Sequence, residues 1–467
     1  MEESCFMPTN VNRTDGFLSS STTLSTAETP DPDAFLEKRS ASSTFSVERV
    51  PLTALPDWQL DDRLQHASGR FFSVEGLSIR TDFGPIPQWR QPIIVQPEIG
   101  ILGILVKRIN GVHHFLMQAK MEPGNSNLVQ YAATVQATPS NYQRVHGGRS
   151  TPYLEYFQEH AGRRMVFDQL LSEHASWYLH KRNRNMIIEI PEDEDIAPAD
   201  DFTWLTLGQL RHQLAQGNRV NMNARTVLSG ISYAAEDDPD SYGDIPDAFH
   251  RQAVESHAAG RSNADVMAAT TWLIDQKAKF SLDVRRIGLR DMDEWVCGED
   301  SIRHRAGRYF QIIGLSVAAT SREVGKWWQP MLEPTGGNVV ALICQRRAGV
   351  LHFLVQAMIQ PGLTDRMELA ATVQLTPGSY RGPDEVPPLA EYLDAPESWI
   401  RLKTAQSEDG GRFSRADTTH VIVDVPEGHT VDAPDNYRWM TLGLLNRLVH
   451  SGYYVNVEAR SLLACLL

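Results

Sequence analysis

His114 to Pro139 reads HFLMQAKMEPGNSNLVQYAATVQATP, and His352 to Pro377 reads HFLVQAMIQPGLTDRMELAATVQLTP. Without a gap the two stretches share 14 of 26 residues at a spacing of 238. The chain therefore carries two diverged copies of one unit, and the fold of one predicts the fold of the other. The register continues outward: GRFFSVEGLSI at 69–79 answers GRYFQIIGLSV at 307–317, WLTLGQL at 204–210 answers WMTLGLL at 439–445, and VNMNAR at 220–225 answers VNVEAR at 455–460. By the C-terminal end the spacing has closed to 235, which implies small loop deletions. One copy is expected over 51–231 and the other over 290–467, each the size of an independent domain. Residues 1–50, rich in Ser, Thr, Asp and Pro, read as a disordered arm. Residues 232–289 read as an acidic linker that ends in a helix.

Within each copy, apolar runs at Gly100–Val106 and Val112–Gln118 flank KRING, whose Asn-Gly pair suits a two-residue hairpin turn, and the second copy repeats the device around QRRAG. MIIEIP at 186–191 and VIVDVP at 421–426 read as short strands ending at proline. YLEYFQE and FDQLLSEHASWYLHK show helical spacing, and TLGQLRHQLAQG ends on glycine, as a helix does. The expected class is α+β: a curved, mixed or largely antiparallel sheet with packed helices, present twice and related by a pseudo-twofold axis.

The formal net charge of −14, with no offsetting basic cluster, argues against a nucleic-acid partner. An apolar fraction of 42% is that of a globular protein with enough material for two cores. Cys5, Cys297, Cys344 and Cys465 have no CxxC spacing, so neither a zinc site nor a disulfide framework is expected. No apolar run reaches the roughly 18 residues of a membrane span, and the beginning MEESCFMPTN lacks a signal peptide's features, so no membrane association and a cytoplasmic location are expected.

Polar residues that could carry chemistry gather at the hairpin. Strand alternation puts His114, Gln118 and Lys120 on one face, followed by Glu122, Asn125 and Asn127 in the loop EPGNSN. Gln96 and Glu98 precede the hairpin, and Glu98 has no acidic counterpart in the second copy, which reads PTGG there. Thr134, Gln136 and Thr138 form a second polar face, matched by Thr372, Gln374 and Thr376; Asn141, Tyr142 and Arg144 follow it, and Tyr380 keeps part of that set. For His114 and its repeat His352 the pattern allows a site residue or a structural histidine, and for Lys120 a ligand contact or a solvated strand end. Arg225 and Arg460 could clamp a diphosphate bidentately or form a buried ion pair; Trp328 could stack on a base or pack in a core. The second copy has Met358, Gln360, Leu363 and Asp365 where the first has Lys120, Glu122, Asn125 and Asn127, so catalysis is expected at the first hairpin. A second, vestigial pocket is expected around His352, Gln356, Thr372, Gln374 and Tyr380.

QPEIGILGILVKRINGVHHFLMQAKMEPGNSNLVQYAATVQATPSNYQRVHGG at 96–148 resembles the N-terminal signature of the NDP-hexose 2,3-dehydratase family. WWQPMLEP at 327–334, HFLVQAMIQPG at 352–362 and ELAATVQLTPGSY at 368–380 resemble its C-terminal signature, and together these cover most of residues 55–467. The resemblance implies tandem Nudix-like domains, usually in a homodimer, acting on a thymidine-diphosphate 4-keto-6-deoxyhexose in deoxysugar biosynthesis for natural products such as antibiotics. A pathway 3-ketoreductase is the implied consumer of the product, a 3,4-diketo-2,6-dideoxy sugar nucleotide. The substrate's own chemistry sets the requirements: the C4 ketone acidifies the C3 proton, the C2 hydroxyl lies beta to that ketone, and elimination needs a base, an acid and a donor to the enolate oxygen. Glu98, His114, Lys120, Glu122 and Tyr142 are the candidates for those roles, and the remaining polar residues named above are candidate substrate contacts. No cofactor is expected, since no hydride moves overall and GxGxxG, HExxH and the Nudix glutamate motif are absent from the sequence. The competing readings are a nucleotide-sugar-binding protein without turnover and, disfavoured by that missing metal motif, a Nudix-type diphosphatase.

Overall fold

A computed structural model describes residues 17–139, 151–233, 245–319 and 325–466. At its centre are the two hairpins. Strands Gly100–Ile109 and Val112–Met121 are joined through Asn110 and Gly111 at φ 51° and 83°, and strands Asn338–Arg347 and Val350–Ile359 through Ala348 and Gly349 at 46° and 83°. Two successive positive-φ residues match the twist of the flanking strands, and Asn and Gly adopt that conformation at least cost.

Each hairpin lies in a seven-stranded sheet of the same order. In the first half that order is Arg164–Ser172, Arg182–Ile190, Gly100–Ile109, Val112–Met121 and Phe202–Leu205, with Val129–Ala132 and Val135–Ala137 added alongside the hairpin strands. Gly100–Ile109 runs parallel to Arg182–Ile190, and Asn338–Arg347 runs parallel to Asp417–Val425; the other pairings are antiparallel, so both sheets are mixed. The run GILGILV is apolar throughout because both of its faces are covered: Leu102, Ile104 and Val106 enter the large central core, and Ile101 and Leu105 a second core on the other side.

Two expectations are corrected. The stretch FDQLLSEHASWYLHK is not helical: it continues the strand Arg164–Ser172 and then turns over 173–181, closed by Glu173 N donating to Lys181 O. Its helix-like spacing of apolar residues yields to ladder pairing with Arg182–Ile190. Nor is the arm disordered over residues 17–50. Helices Phe17–Thr22 and Pro32–Ser42 pack on the central core with Phe17 only 2% and Leu36 3% exposed; residues 1–16 lie outside the described residues. Ser20, one of the serines that suggested disorder, is spent on tertiary hydrogen bonds. Ser20 Oγ donates to His113 O at 2.6 Å and accepts from Leu207 N, and Ser256 Oγ does the same with Leu351 O and Leu442 N. Helices Ala248–Ala258 and Asn263–Lys279, read as linker, are thus the second half's counterparts of the arm helices.

The halves are interleaved. Phe45–Val50 pairs with Phe310–Ala319 of the second half, while Leu282–Ile287 pairs with Ser73–Thr81 of the first, so each half lends its leading strand to the other's five-stranded sheet. The Pro-Gly pairs of the repeat mark a second exchange. Gly124 N donates to Gly410 O and Gly362 N to Ala175 O, each glycine packing against the 173–181 or 408–416 turn of the opposite half. A Cβ at Gly124 would lie 1.8 Å from Phe413 O, and one at Gly362 1.8 Å from Tyr178 O, so neither position admits a side chain.

Candidate active site

The exchanged turns bring each half's residues to the other's hairpin end. Aligning the two copies through their parallel strands places Glu173, His174, Trp177 and Lys181 opposite Glu408, Asp409, Arg412 and Ala416. The first site consequently contains the end of the first hairpin, the first half's own Glu173, Lys181 and Asn183, and the second half's Asp409 and Arg412. Lys120 Nζ donates to Gln136 O at 3.3 Å, Gln136 Nε2 donates to Glu122 Oε1 at 2.6 Å, and Asn221 Nδ2 reaches both Glu122 and Gln136. Lys181 Nζ donates to Glu98 O, Arg412 Nε donates to Gln96 Oε1 at 3.3 Å, and the Arg412 guanidinium lies over the Phe72 ring. Asn183 links the two groups: its Oδ1 accepts from Gly100 N and its Nδ2 donates to Glu173 Oε1 at 2.7 Å. Thr138 touches the same spot, 3.4 Å from where a Gly100 Cβ would sit.

Burial sets the protonation here. It drives the Lys181 ammonium down to about 8, against the opposing pull of Glu173, and it drives the Glu173 carboxyl upward against Arg460 and Lys181.

The second site has the same frame and different chemistry. A cavity of about 170 Å³ is lined by Asn338, Met358, Gln374, Thr376, Tyr380, Glu408 and Glu458 of the second half and by His174, Ser176 and Trp177 of the first. That is smaller than the roughly 300–1,000 Å³ of sites that enclose a drug-sized ligand, and suits a single ring. His174 is clamped between Glu408, at 2.9 Å from Nε2, and Glu458, at 3.4 Å from Nδ1. Burial disfavours its charge, yet the two carboxylates prevail and raise it to about 10; burial likewise opposes Glu408's charge, and His174 and Arg225 hold it at about 2. Tyr380, which burial pushes upward, accepts from Thr376 N.

Of the residues singled out in sequence, Gln96, Glu98, Lys120, Glu122, Gln136 and Thr138 are brought together at the first site, with Gln118 one strand repeat before Lys120 on the same face. Asn125 is buried against Gly410, its side-chain amide without a hydrogen-bond partner among the described residues, while Asn127 is spent on Asn218 O and Gln130. Gln374 and Tyr380 line the second cavity; Gln356 is buried and donates to Ala371 O and Thr372 O. Asn141, Tyr142 and Arg144 lie outside the described residues.

Others are placed elsewhere. His114 sits at the far end of its strand, about 20 Å from Lys120 at about 3.3 Å per residue, where its ring meets Thr26 and Val112 O; His352 bonds Val350 O at the matching place. Thr134 and Thr372 are buried staples, Thr134 joining Leu105 N to Leu116 O and Thr372 joining Ile343 N to Leu354 O. Arg225 and Arg460 are wholly buried and cross between the halves. Arg225 donates to Ser461 Oγ, Val220 O and Ser407 O, and Arg460 to Thr226 Oγ1, Val455 O and Ser172 O, which leaves neither free to clamp a diphosphate. Their targets Ser172 and Ser407 are the residues from which the exchanged turns depart. Trp328 packs against the core under the five-stranded sheets, its carbonyl accepting from Trp58 Nε1.

Sequence reasoning missed Glu173, His174, Lys181, Asp409, Arg412 and Glu458. A usable signal was present: Ser172-Glu173 matches Ser407-Glu408, and the copies then diverge abruptly in polar type, HASWYLHK against DGGRFSRA. Among the described residues no three His, Cys, Asp or Glu side chains gather so as to hold a metal ion, and no helix is long and apolar enough to cross a membrane.

A family model described as NDP-hexose 2,3-dehydratase matches residues 30–231 and again 267–466. Three curated relatives bear the name dTDP-4-dehydro-6-deoxy-alpha-D-glucopyranose 2,3-dehydratase. The protein from Saccharopolyspora spinosa is 40% identical, over 100% of this chain and 97% of its own length. The one from Amycolatopsis orientalis is 40% identical over 94% of this chain and 90% of its own, and the one from Streptomyces violaceoruber 41% over 93% and 96%.

Proposed function

We propose that this chain, which belongs to the NDP-hexose 2,3-dehydratase family, removes water across C2 and C3 of a thymidine-diphosphate 4-keto-6-deoxyglucose. It is a hydro-lyase. The C3–H bond breaks first because the adjacent ketone accepts the electron pair as an enolate; the enolate then expels the C2 hydroxyl, and the resulting enol becomes a 3,4-diketone.

The first site is the reaction centre in this reading. The observation that carries it is the distribution of cations: Lys120, Lys181 and Arg412 converge on the first hairpin end, and their counterparts at the second are Met358, Ala416 and Trp177. An enolate oxygen and a diphosphate both need positive donors fixed before the charge develops. Lys120 is assigned to the enolate oxygen, Arg412 to the diphosphate, and Glu122, held by Gln136 and Asn221, to a sugar hydroxyl. Glu98 stays in the proposed site beside the ring, Tyr142 remains a candidate on its sequence position alone, and His114 leaves the site. The second cavity, with one locked cation and two glutamates, is a ring-binding pocket without the chemistry.

The finer architectural reading is also proposed: each half is Nudix-like, the two are related by a pseudo-twofold axis, and two chains form a cytoplasmic homodimer whose product passes to a 3-ketoreductase. The reciprocal arginine, serine and glycine contacts support the twofold.

Incubating the purified protein with the 4-keto-6-deoxy sugar nucleotide, with a 3-ketoreductase to trap the unstable product, tests the reaction. Loss of one water is expected. Recovery of unchanged substrate would leave a nucleotide-sugar-binding protein, and release of a nucleoside monophosphate would make the fold a diphosphatase.

A further inference from the structure

The C3 proton needs a base, and one pair of buried groups at the first site has unmet bonding capacity. Glu173 is 3% exposed, and its Oε1 accepts from Asn183 while Oε2 has no partner among the described residues. Lys181 is 6% exposed and donates only to the Glu98 carbonyl, making no ion pair among the described residues. A buried ammonium has three donors to satisfy and a buried carboxylate two acceptors. Two such groups stand at opposite ends of one short turn, and we take their unused bonding capacity to be completed by a polar ligand.

We propose that Lys181 is the catalytic base, taking the C3 proton as a neutral amine and returning it to the departing C2 oxygen. The inference rests on the dehydratase reading. In the first step the C3–H bond breaks, N–H forms at Lys181, and the electron pair moves through C3–C4 onto the ketone oxygen, which Lys120 faces. In the second step the enolate electrons form the C2=C3 bond, the C2–O bond breaks, and the leaving hydroxide takes the proton from the Lys181 ammonium to depart as water. The amine is regenerated and no redox partner is consumed. Glu173 acts as a positioning residue, since its charge opposes deprotonation of Lys181. Burial has already brought that lysine into the range where both forms are populated near neutral pH, as a base of this kind requires. The second site has Ala416 at this place, so it holds no equivalent group.

The test is exchange of the C3 proton with solvent deuterium, read by mass spectrometry, alongside water loss. Lys181→Met is expected to lose both by about 10²–10⁴-fold while still binding thymidine diphosphate, and Lys181→Arg to restore neither, because guanidinium stays charged. Glu173→Gln is expected to move the acid limb of kcat/KM to lower pH, a readout that survives if Lys181→Met folds poorly. If wild type dehydrates and Lys181→Met still exchanges deuterium within tenfold of it, or if Glu173→Gln leaves the acid limb in place, Lys181 is not the base. If wild type itself does not dehydrate the substrate, the failure lies with the reaction assigned to the protein.

Discussion

The two hairpin ends share a backbone and differ in how they hold charge. At the first, a buried lysine is left with one acceptor and a lowered affinity for its proton; at the second, a buried histidine is gripped by two carboxylates and keeps its proton to about pH 10. Burial pushes the first cation toward its neutral form, while ion pairing holds the second charged. The lesson is that duplication preserves the frame, through residues such as Arg225 and Arg460 that do the same job twice, while the polar side chains diverge on the turns each half passes to the other.

The largest effect is expected from erasing the difference at one position. Lys120→Met gives the first site the second's residue and should lower kcat by about 10²–10³-fold, the usual loss for one donor to a developing oxyanion. Adding Met358→Lys to that variant should restore none of it. A double variant with recovered turnover would move the chemistry to the second site.

Next in size is the exchange itself. Gly124→Ala and Gly362→Ala each set a methyl group 1.8 Å from a carbonyl of the opposite half, an overlap that only backbone movement relieves. Each should cost about 3 kcal/mol of stability by thermal or denaturant unfolding, the upper end for overpacking. Gly124→Ala displaces the turn carrying Arg412 and should also lower turnover, whereas Gly362→Ala displaces the turn carrying His174 and Trp177. Equal melting temperatures for wild type and both variants would mean that the halves are not clasped through these turns.

These examples show why the sequence was legible where it was. The repeat, the hairpin turns at Asn110-Gly111 and Ala348-Gly349, and the first-half cluster Glu98, Lys120, Glu122 and Gln136 follow from local pattern, in which spacing alone fixes a face. Lys181 and Arg412 do not, because they reach the site only once two turns are exchanged across the molecule, and no local periodicity encodes that pairing. Arg225 reads the same in sequence whether it faces a phosphate or a carbonyl; only its complete burial decides. The arm misleads for a related reason: Ser20 is polar in composition but serves as a buried bridge between two backbone groups.

A pair of effects of opposite sign should appear with pH. His174 is raised from 6.5 to about 10, so its contribution to stability is complete below about pH 6.5 and is lost as pH climbs through 10. Lys181 is lowered from 10.5 to about 8, so its contribution is complete above about 10.5 and is lost as pH falls through 8. Between pH 8 and 10 the two sites therefore pull stability in opposite directions. Measured by denaturant unfolding across that window, the advantage of wild type over His174→Gln should shrink as pH rises, and the deficit of wild type against Lys181→Met should shrink as well. A wild-type advantage over His174→Gln that is flat from pH 6.5 to 10 would mean His174 is not held charged by Glu408 and Glu458.

The smallest difference is expected where the halves still agree. Thr134 and Thr372 each join two backbone groups of neighbouring strands, and both hydroxyls are fully buried, so Thr→Val at either leaves an N–H and a carbonyl without their bridge. A loss of about 2 kcal/mol is expected for each, within the range for stranding buried polar groups, and it should be nearly the same in the two halves because the geometry is the same. Neither substitution should raise KM, since both hydroxyls are shut inside the sheet, out of a substrate's reach. Thr134→Val raising KM tenfold while Thr372→Val does not would show that the first-half threonine reaches the sugar after all. The frame and the site would then have to be divided at a different residue.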